Sequence, residues 1–262
     1  MRKFGMSARA YPGLTYDEQL KKMAFYGFDS VLEIACDDCA MAELAAAQEK
    51  HNIRAEMLHA PFRGINNIWL DCIDGDNMLA VLQQSIDKCK IVGAKIVVVH
   101  LSSGMNPPTI TDIGRGRFDM LVEYAACKNV RIAFENQRRL DNLAWVMERY
   151  TDDNIVGFCW DCGHENCFTK GREYMPLFGK RMICNHIHDN VGVFNQDDHM
   201  IPFDGNIDYS KVAKYIKQSG YEGTLTLEIF SFKSDIYKTL SADEYYERAA
   251  SAARRICNMI DN

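Results

Sequence analysis

The stretch Gly157–His164, GFCWDCGH, places an apolar run immediately before Asp161, with His164 three residues further on. In a buried strand alternate residues face the same way, so Cys159 and Asp161 share one face and Phe158 and Trp160 the other. A lone carboxylate at the tip of such a strand is costly to bury. With an imidazole just beyond it, the same carboxylate suits a metal ion. One strand end of this kind is weak evidence. Its weight comes from other apolar strands of the chain that also end in His or Glu.

Working outward, strands are predicted at 3–8, 28–35, 54–60, 94–101 (AKIVVVHL), 130–136 (VRIAFEN), 155–161, 182–188 and 224–230 (TLTLEIF). Helices are predicted between them, near 15–26, 37–51, 76–92, 111–128, 140–150, 173–178, 207–220 and 242–259. Thr15 and Glu18 have the spacing of a capping box, and Gly27 and Gly93 stop their helices. Residues 61–75 read as a long loop. Strands that are apolar throughout, alternating with helices, imply parallel pairing with both faces covered. Eight such units fit a closed barrel better than an open doubly wound sheet. No glycine-rich phosphate loop follows the first strand, which removes the main support for a dinucleotide-binding fold. The expectation is an α/β protein, a (β/α)8 TIM barrel forming a single domain over residues 1–262.

At 262 residues with 47% hydrophobic content the chain can bury a sizeable core. Its net charge is −6 and it has no Lys/Arg-rich run, which argues against a broad nucleic-acid footprint. The ten Cys are scattered through apolar patterns and read as reduced thiols of a cytoplasmic protein. Cys36/Cys39 and Cys159/Cys162 have CxxC spacing, but Cys159 and Cys162 face opposite ways, so structural thiols are preferred to a zinc site. The N-terminus lacks a signal-peptide core, and no apolar run reaches the roughly 18 residues of a membrane span.

In such barrels the chemistry sits at the C-terminal ends of the strands. Those ends carry His59, His100, Glu135, Asp161, His186 and Glu228 on strands three to eight. Parity places each above a modest inward residue: Met57 below His59, Val98 below His100, Ala133 below Glu135, Thr226 below Glu228. His164, Asp197 and His199 lie just past strand ends, and His188 shares a face with His186 but lies further out, as a supporting or substrate-facing group. A lone strand-end His is more often a hydrogen-bonded core residue than a ligand. Six consecutive strands ending this way is not an ordinary core. Clustered carboxylates and imidazoles are relieved by a divalent cation, and mixed O/N ligation suits Zn, Mn, Co or Fe.

The pattern LHAPF, VVVHL, FEN, WDCGH, NHIHDN, DDHMIPFDGNID and LTLEIF resembles the xylose isomerase-like TIM-barrel superfamily over about residues 54–230. That superfamily holds sugar-phosphate isomerase/epimerase-type proteins and apurinic endonucleases of the endonuclease IV type. The epimerase branch implies one metal on Glu135, Asp161, His186 and Glu228, with Glu135 and Glu228 as acid and base. The endonuclease branch implies three zinc ions, with His59 and His100 on one side and His164, Asp197 and His199 on the other. The metal count is therefore open from one to three.

Two chemistries follow. In the first, a metal-dependent isomerase or epimerase moves a proton next to the carbonyl of a small-molecule sugar or sugar phosphate, with His164 or His188 touching substrate. In the second, zinc ions hydrolyse a phosphodiester of abasic DNA. The acidic balance favours the first, and the loop cations Arg63, Arg115, Arg117, Arg138, Arg139, Lys170 and Arg172 are diluted by acids. Phe62 and Trp69 are candidate substrate-stacking residues. A barrel that binds without catalysis is the third reading, and the intact ligand set disfavours it. The loops after strands three and seven could cap a neighbour's site, so a homo-oligomer is allowed.

Overall fold

The structure, a computed structural model, describes residues 2–151 and 154–262. Eight strands alternate with helices along the chain. They run β1 (Phe4–Ser7), α1 (Tyr16–Tyr26), β2 (Ser30–Ile34), α2 (Asp38–His51), β3 (Arg54–His59), α3 (Ile73–Val92) and β4 (Ile96–His100). Next come α4 (Asp112–Lys128), β5 (Arg131–Glu135), α5 (Leu140–Arg149), β6 (Val156–Asp161), α6 (Cys162–Phe168) and α7 (Met175–Phe178). The chain ends with β7 (Met182–His186), α8 (Tyr209–Ser219), β8 (Leu225–Leu227) and α9 (Ala242–Asp261). Every ladder is parallel and the strand order is β7-β6-β5-β4-β3-β2-β1-β8, a nearly closed single-domain (β/α)8 TIM barrel. No described helix is long and apolar enough to cross a membrane.

Two cores result from the strand period of two. Leu32, Met57, Val98, Ala133, Cys159 and Cys184 fill the barrel interior. The residues of opposite parity, among them Leu58, Val97, Val99, Phe134, Phe158 and Trp160, pack outward against the helices. Above the inner layer the register brings His100 opposite Glu135 and Asp161 opposite His186, so the polar tips lie side by side across neighbouring strands.

The barrel closes at a narrow seam. β7 and β8 meet through one bridge, Ile187 opposite Leu227, in which Ile187 N donates to Thr226 O at 2.8 Å and Glu228 N to Ile187 O at 3.0 Å. The buried Asn185 amide supplies the rest: it donates to Thr224 O and accepts from Thr226 N, both at 3.0 Å. Both strands are therefore shorter than the apolar runs 182–188 and 224–230 suggested, and Glu228 sits just past β8.

Three sequence expectations are corrected. The loop predicted at 61–75 holds a 3-10 turn, Ile65–Trp69, and α3 starts at Ile73 rather than near 76. A helix absent from the predicted set, α6, starts directly after Asp161, which caps it by accepting from His164 N at 2.6 Å. Trp69 is not a substrate-stacking residue. It is 1% exposed, donates to Leu101 O at 2.7 Å and packs on Phe118 and Trp145, outside the barrel. Gly114 lies against its ring, where a Cβ would have no room.

Arg117 is not a loop cation. It is a buried residue of α4 that donates to Ile68 O at 3.0 Å, Leu70 O at 2.6 Å and Cys72 O at 3.2 Å. It thereby satisfies the carbonyls of the irregular segment leading into α3, with Asp76 Oδ1 at 2.9 Å as its ion partner. Arg117→Met leaves those carbonyls unpaired and is expected to cost about 3 kcal/mol. It should lower the urea midpoint without changing the slope, and Arg117→Lys, lacking the fork, should not restore it. An unaltered midpoint would show that the segment finds other donors.

Candidate metal centre

Glu135, at the tip of β5, is the hub. Its carboxylate is 1% exposed and both oxygens are taken. Oε2 lies 2.7 Å from His100 Nε2 and 3.1 Å from His59 Nε2. Oε1 lies 3.1 Å from His186 Nδ1 and 3.2 Å from His164 Nδ1. Burial alone would raise the Glu135 pKa, but the imidazoles of His186, His100 and His164 hold it well below the usual carboxylate range. Burial also lowers the pKa of His100, against the pull of Glu135. Burial likewise disfavours charge on His186, yet Glu228 and Glu135 push it up to about 10.

Asp161 completes a quartet with Glu135, His186 and Glu228 whose donor atoms all lie within 4.8 Å of one another. Asn136 fixes it: the Asn136 amide donates to Asp161 O and accepts from Asp161 N, both at 2.8 Å, locking β5 to β6 at the site. Asp161 Oδ1 caps α6, while Oδ2 is buried with no hydrogen-bond partner among the described residues. Glu228 Oε2 is 3.4 Å from His186 Nδ1 and 3.8 Å from His199 Nδ1, and these imidazoles lower its pKa against burial. Glu228 also lines the cavity.

A second group, His164, His188, Asp197 and His199, also places one donor atom each within 4.8 Å. His199 Nε2 is 2.9 Å from Asp197 Oδ2, and His164 Nε2 and His188 Nε2 are each 3.6 Å from Asp197 oxygens. Asp161 and Asp197 push His188 up to about 9 despite burial. The loop that carries Asp197 and His199 is pinned by Asp189, whose carboxylate accepts from Asn190 N, Phe203 N and Ile207 N. His199 adopts a left-handed backbone, φ 44°, unusual for a residue with a side chain. Gly163 is required by His188: a Cβ there would run into the imidazole ring. A third group is His59, Glu135 and His186.

The sequence-predicted residues His59, His100, Glu135, Asp161, His164, His186, His188, Asp197, His199 and Glu228 thus come together in one buried ring. Hard carboxylate oxygens mixed with imidazole nitrogens, with orphaned buried atoms on Asp161, Asp197, His186 and His188, fit a divalent cation. Phe62 lies at the cavity wall, stacked on His100 with centroids 4.5 Å apart. The ten Cys are free thiols; Cys159 is in the inner core, and Cys162 donates to His188 O.

Sequence reading missed Gln137, whose amide lies 3.2 Å from His100 Nε2 and 3.0 Å from His164 Nδ1, tying the groups together. Its place directly after FEN was the available signal. It also missed the far wall of the cavity. That cavity, about 430 Å³, is lined by residues of the ring and also by Arg9, Glu33, Cys36 and Lys233 and the apolar side chains of Ile34, Phe230 and Phe232. Glu33 is 5% exposed, 3.0 Å from Arg9 Nε, and accepts from Tyr16 Oη at 2.8 Å and Ile34 N at 2.7 Å. Burial raises its pKa, and Arg9, Tyr16 and the Ile34 amide pull it back.

Several known proteins are similar. The protein y4fM of Sinorhizobium fredii is 32% identical over 194 residues, which is 69% of this chain and 60% of that relative, so this chain spans less than two thirds of its length. Among solved structures, a D-tagatose 3-epimerase-like protein shares 20% identity at TM-score 0.77, covering 99% of this chain and 98% of its own. D-Psicose 3-epimerase with D-tagatose, from Clostridium cellulolyticum H10, shares 16% at TM-score 0.76, covering 98% and 99%. At these identities the likeness is one of fold. A family model, xylose isomerase-like TIM barrel, matches residues 18–256. The chain belongs to the xylose isomerase-like TIM barrel family.

Proposed function

We propose that this protein is a metal-dependent isomerase or epimerase that moves a proton next to the carbonyl of a ketose or ketose phosphate. One observation carries the reading: Glu135, Asp161, His186 and Glu228 converge, and two of them, Glu135 and Glu228, line a cavity whose size suits a small molecule. The epimerases of the same fold support it.

The quartet would hold one divalent cation, Zn or Mn by ligand type, with Co and Fe also compatible. When bound, that ion supplies Lewis-acid polarisation of a carbonyl and its neighbouring hydroxyl, which acidifies the C–H between them. The chain's own residues do the rest. Glu228, which lines the cavity, takes or returns the proton on one face. Glu135 serves the other face and exchanges its proton with the imidazoles around it. His164, which lines the cavity, orients substrate oxygens, His188 behind it holds Asp161 and Asp197 in place, and Phe62 walls off water from the reacting carbons.

The alternative, a zinc phosphodiesterase acting on abasic DNA, draws on the His164, His188, Asp197 and His199 group, which offers room for further ions and leaves the count between one and three. The two readings part in one experiment. In deuterated water the first gives solvent deuterium at a ketose carbon beside the carbonyl and leaves an abasic duplex intact. Cleavage of that duplex without exchange into any ketose would overturn it.

Two further outcomes are expected. Glu228→Gln keeps the shape and removes the base, so kcat/KM for exchange should fall about 100-fold or more. Retained exchange would take Glu228 out of the acid/base role. Stripping divalent metal should abolish turnover and lower Tm. Re-addition should restore both, with apparent affinity rising with pH and still rising above pH 8, because His186, pushed up to about 10, must lose its proton to bind. A metal affinity indifferent to pH would argue against imidazole ligation.

A further inference from the structure

The end of the cavity away from the metal ring has a composition of its own. There the titratable residues are Glu33, near the end of β2, and Arg9, Cys36 and Lys233, on the segments that follow β1, β2 and β8. Arg9 sits in a left-handed backbone, φ 57°, outside the region preferred by residues with a side chain. Its guanidinium is held on one edge only. Nε and Nη2 engage Tyr16 Oη, Nε lies against Glu33, and Nη2 approaches Cys36 Sγ at 3.5 Å. Nη1 makes no hydrogen bond among the described residues. The Arg9 side chain is 53% exposed although its partner Glu33 is buried.

A buried carboxylate paired to a half-exposed guanidinium is poor value for stability, because desolvation offsets most of the attraction. It is a good way to fix a guanidinium so that its remaining N–H pair points at a ligand. Lys233 is a second cation in the lining of this cavity and makes no ion pair among the described residues. Two cations against one anion leave this end net positive, while the ring at the other end is rich in carboxylates. Phe230 adjoins the ring, with its centroid 5.2 Å from that of His199, and Phe232 lies 5.5 Å from Phe230 and directly precedes Lys233 in the chain.

We propose that Arg9 and Lys233 form a subsite for an anionic group, phosphate or carboxylate, carried by the substrate at the end remote from its reacting carbons. This rests on the isomerase or epimerase reading above. Glu33 and Tyr16 are positioning residues that hold the guanidinium, and binding energy gained at this remote group is available to orient the reacting carbons over the ring.

Deuterium exchange measured side by side on D-fructose, D-fructose 6-phosphate and the corresponding 6-carboxylate tests this and separates the two anions. The wild type should prefer one anionic substrate by at least tenfold in kcat/KM. Arg9→Met and Lys233→Met should each reduce that preference, and the double variant should abolish it. Preference for the neutral ketose, or a preference that survives in the double variant, overturns the subsite. If no ketose exchanges, the parent reading fails, and binding of inorganic phosphate by calorimetry decides the subsite alone. Affinity at least tenfold weaker in the double variant supports it, and affinity equal to wild type overturns it. Glu33→Gln gives a distinguishing readout for positioning: KM for the anionic substrate should rise with kcat little altered, whereas a merely structural role would lower Tm and leave KM in place.

Discussion

The structure depends on one buried carboxylate. Glu135 has both oxygens within hydrogen-bond distance of imidazoles drawn from β3, β4, α6 and β7. An isolated carboxylate at that depth would cost more than any single contact could return. The charge is tolerated because four rings converge on it, and they converge only if the strands around it keep register to within one residue. A slip of one position in β4 would turn His100 outward and Val99 inward. The site is thus also a device that penalises misregistered barrels, and the inner apolar layer of Met57, Val98, Ala133 and Cys159 supports it from below.

Around this centre the protein uses side-chain amides where strand ladders cannot reach. Asn136 clamps Asp161 through both its backbone groups, Asn185 stands in for the missing ladder between β7 and β8, and Gln137 links the two imidazole groups. An amide offers a donor and an acceptor without a charge, so it can be buried beside titrating groups and leave their electrostatics to one another. Asp189 does the corresponding work for the β7–α8 loop by accepting three backbone N–H groups, which holds Asp197 and His199 over the ring.

Much of this was legible in the sequence because strand parity is rigid. Once VVVHL, VRIAFEN and GFCWD were read as buried strands, the facing of His100, Glu135 and Asp161 followed, and the barrel assembled them. What parity does not reach was not legible. α6 is only seven residues long and its apolar pattern merges with the end of β6. Trp69 and Arg117 lie outside the barrel, held by contacts between segments far apart in sequence. Glu33 follows the inward Leu32, so parity sends it toward the helices, yet it lines the cavity beside Arg9.

The seam between β7 and β8 has one further consequence. His186 stands on one side of it and Glu228 on the other, and the two lie in the same donor quartet. Seven of the eight strand junctions are strand ladders, whereas the eighth depends on an isolated bridge and one amide. A ligand shared by His186 and Glu228 would therefore act as a rivet across the weakest junction of the ring. Closure of the barrel and completion of the donor quartet then coincide, because His186 and Glu228 are brought together only where β7 and β8 meet.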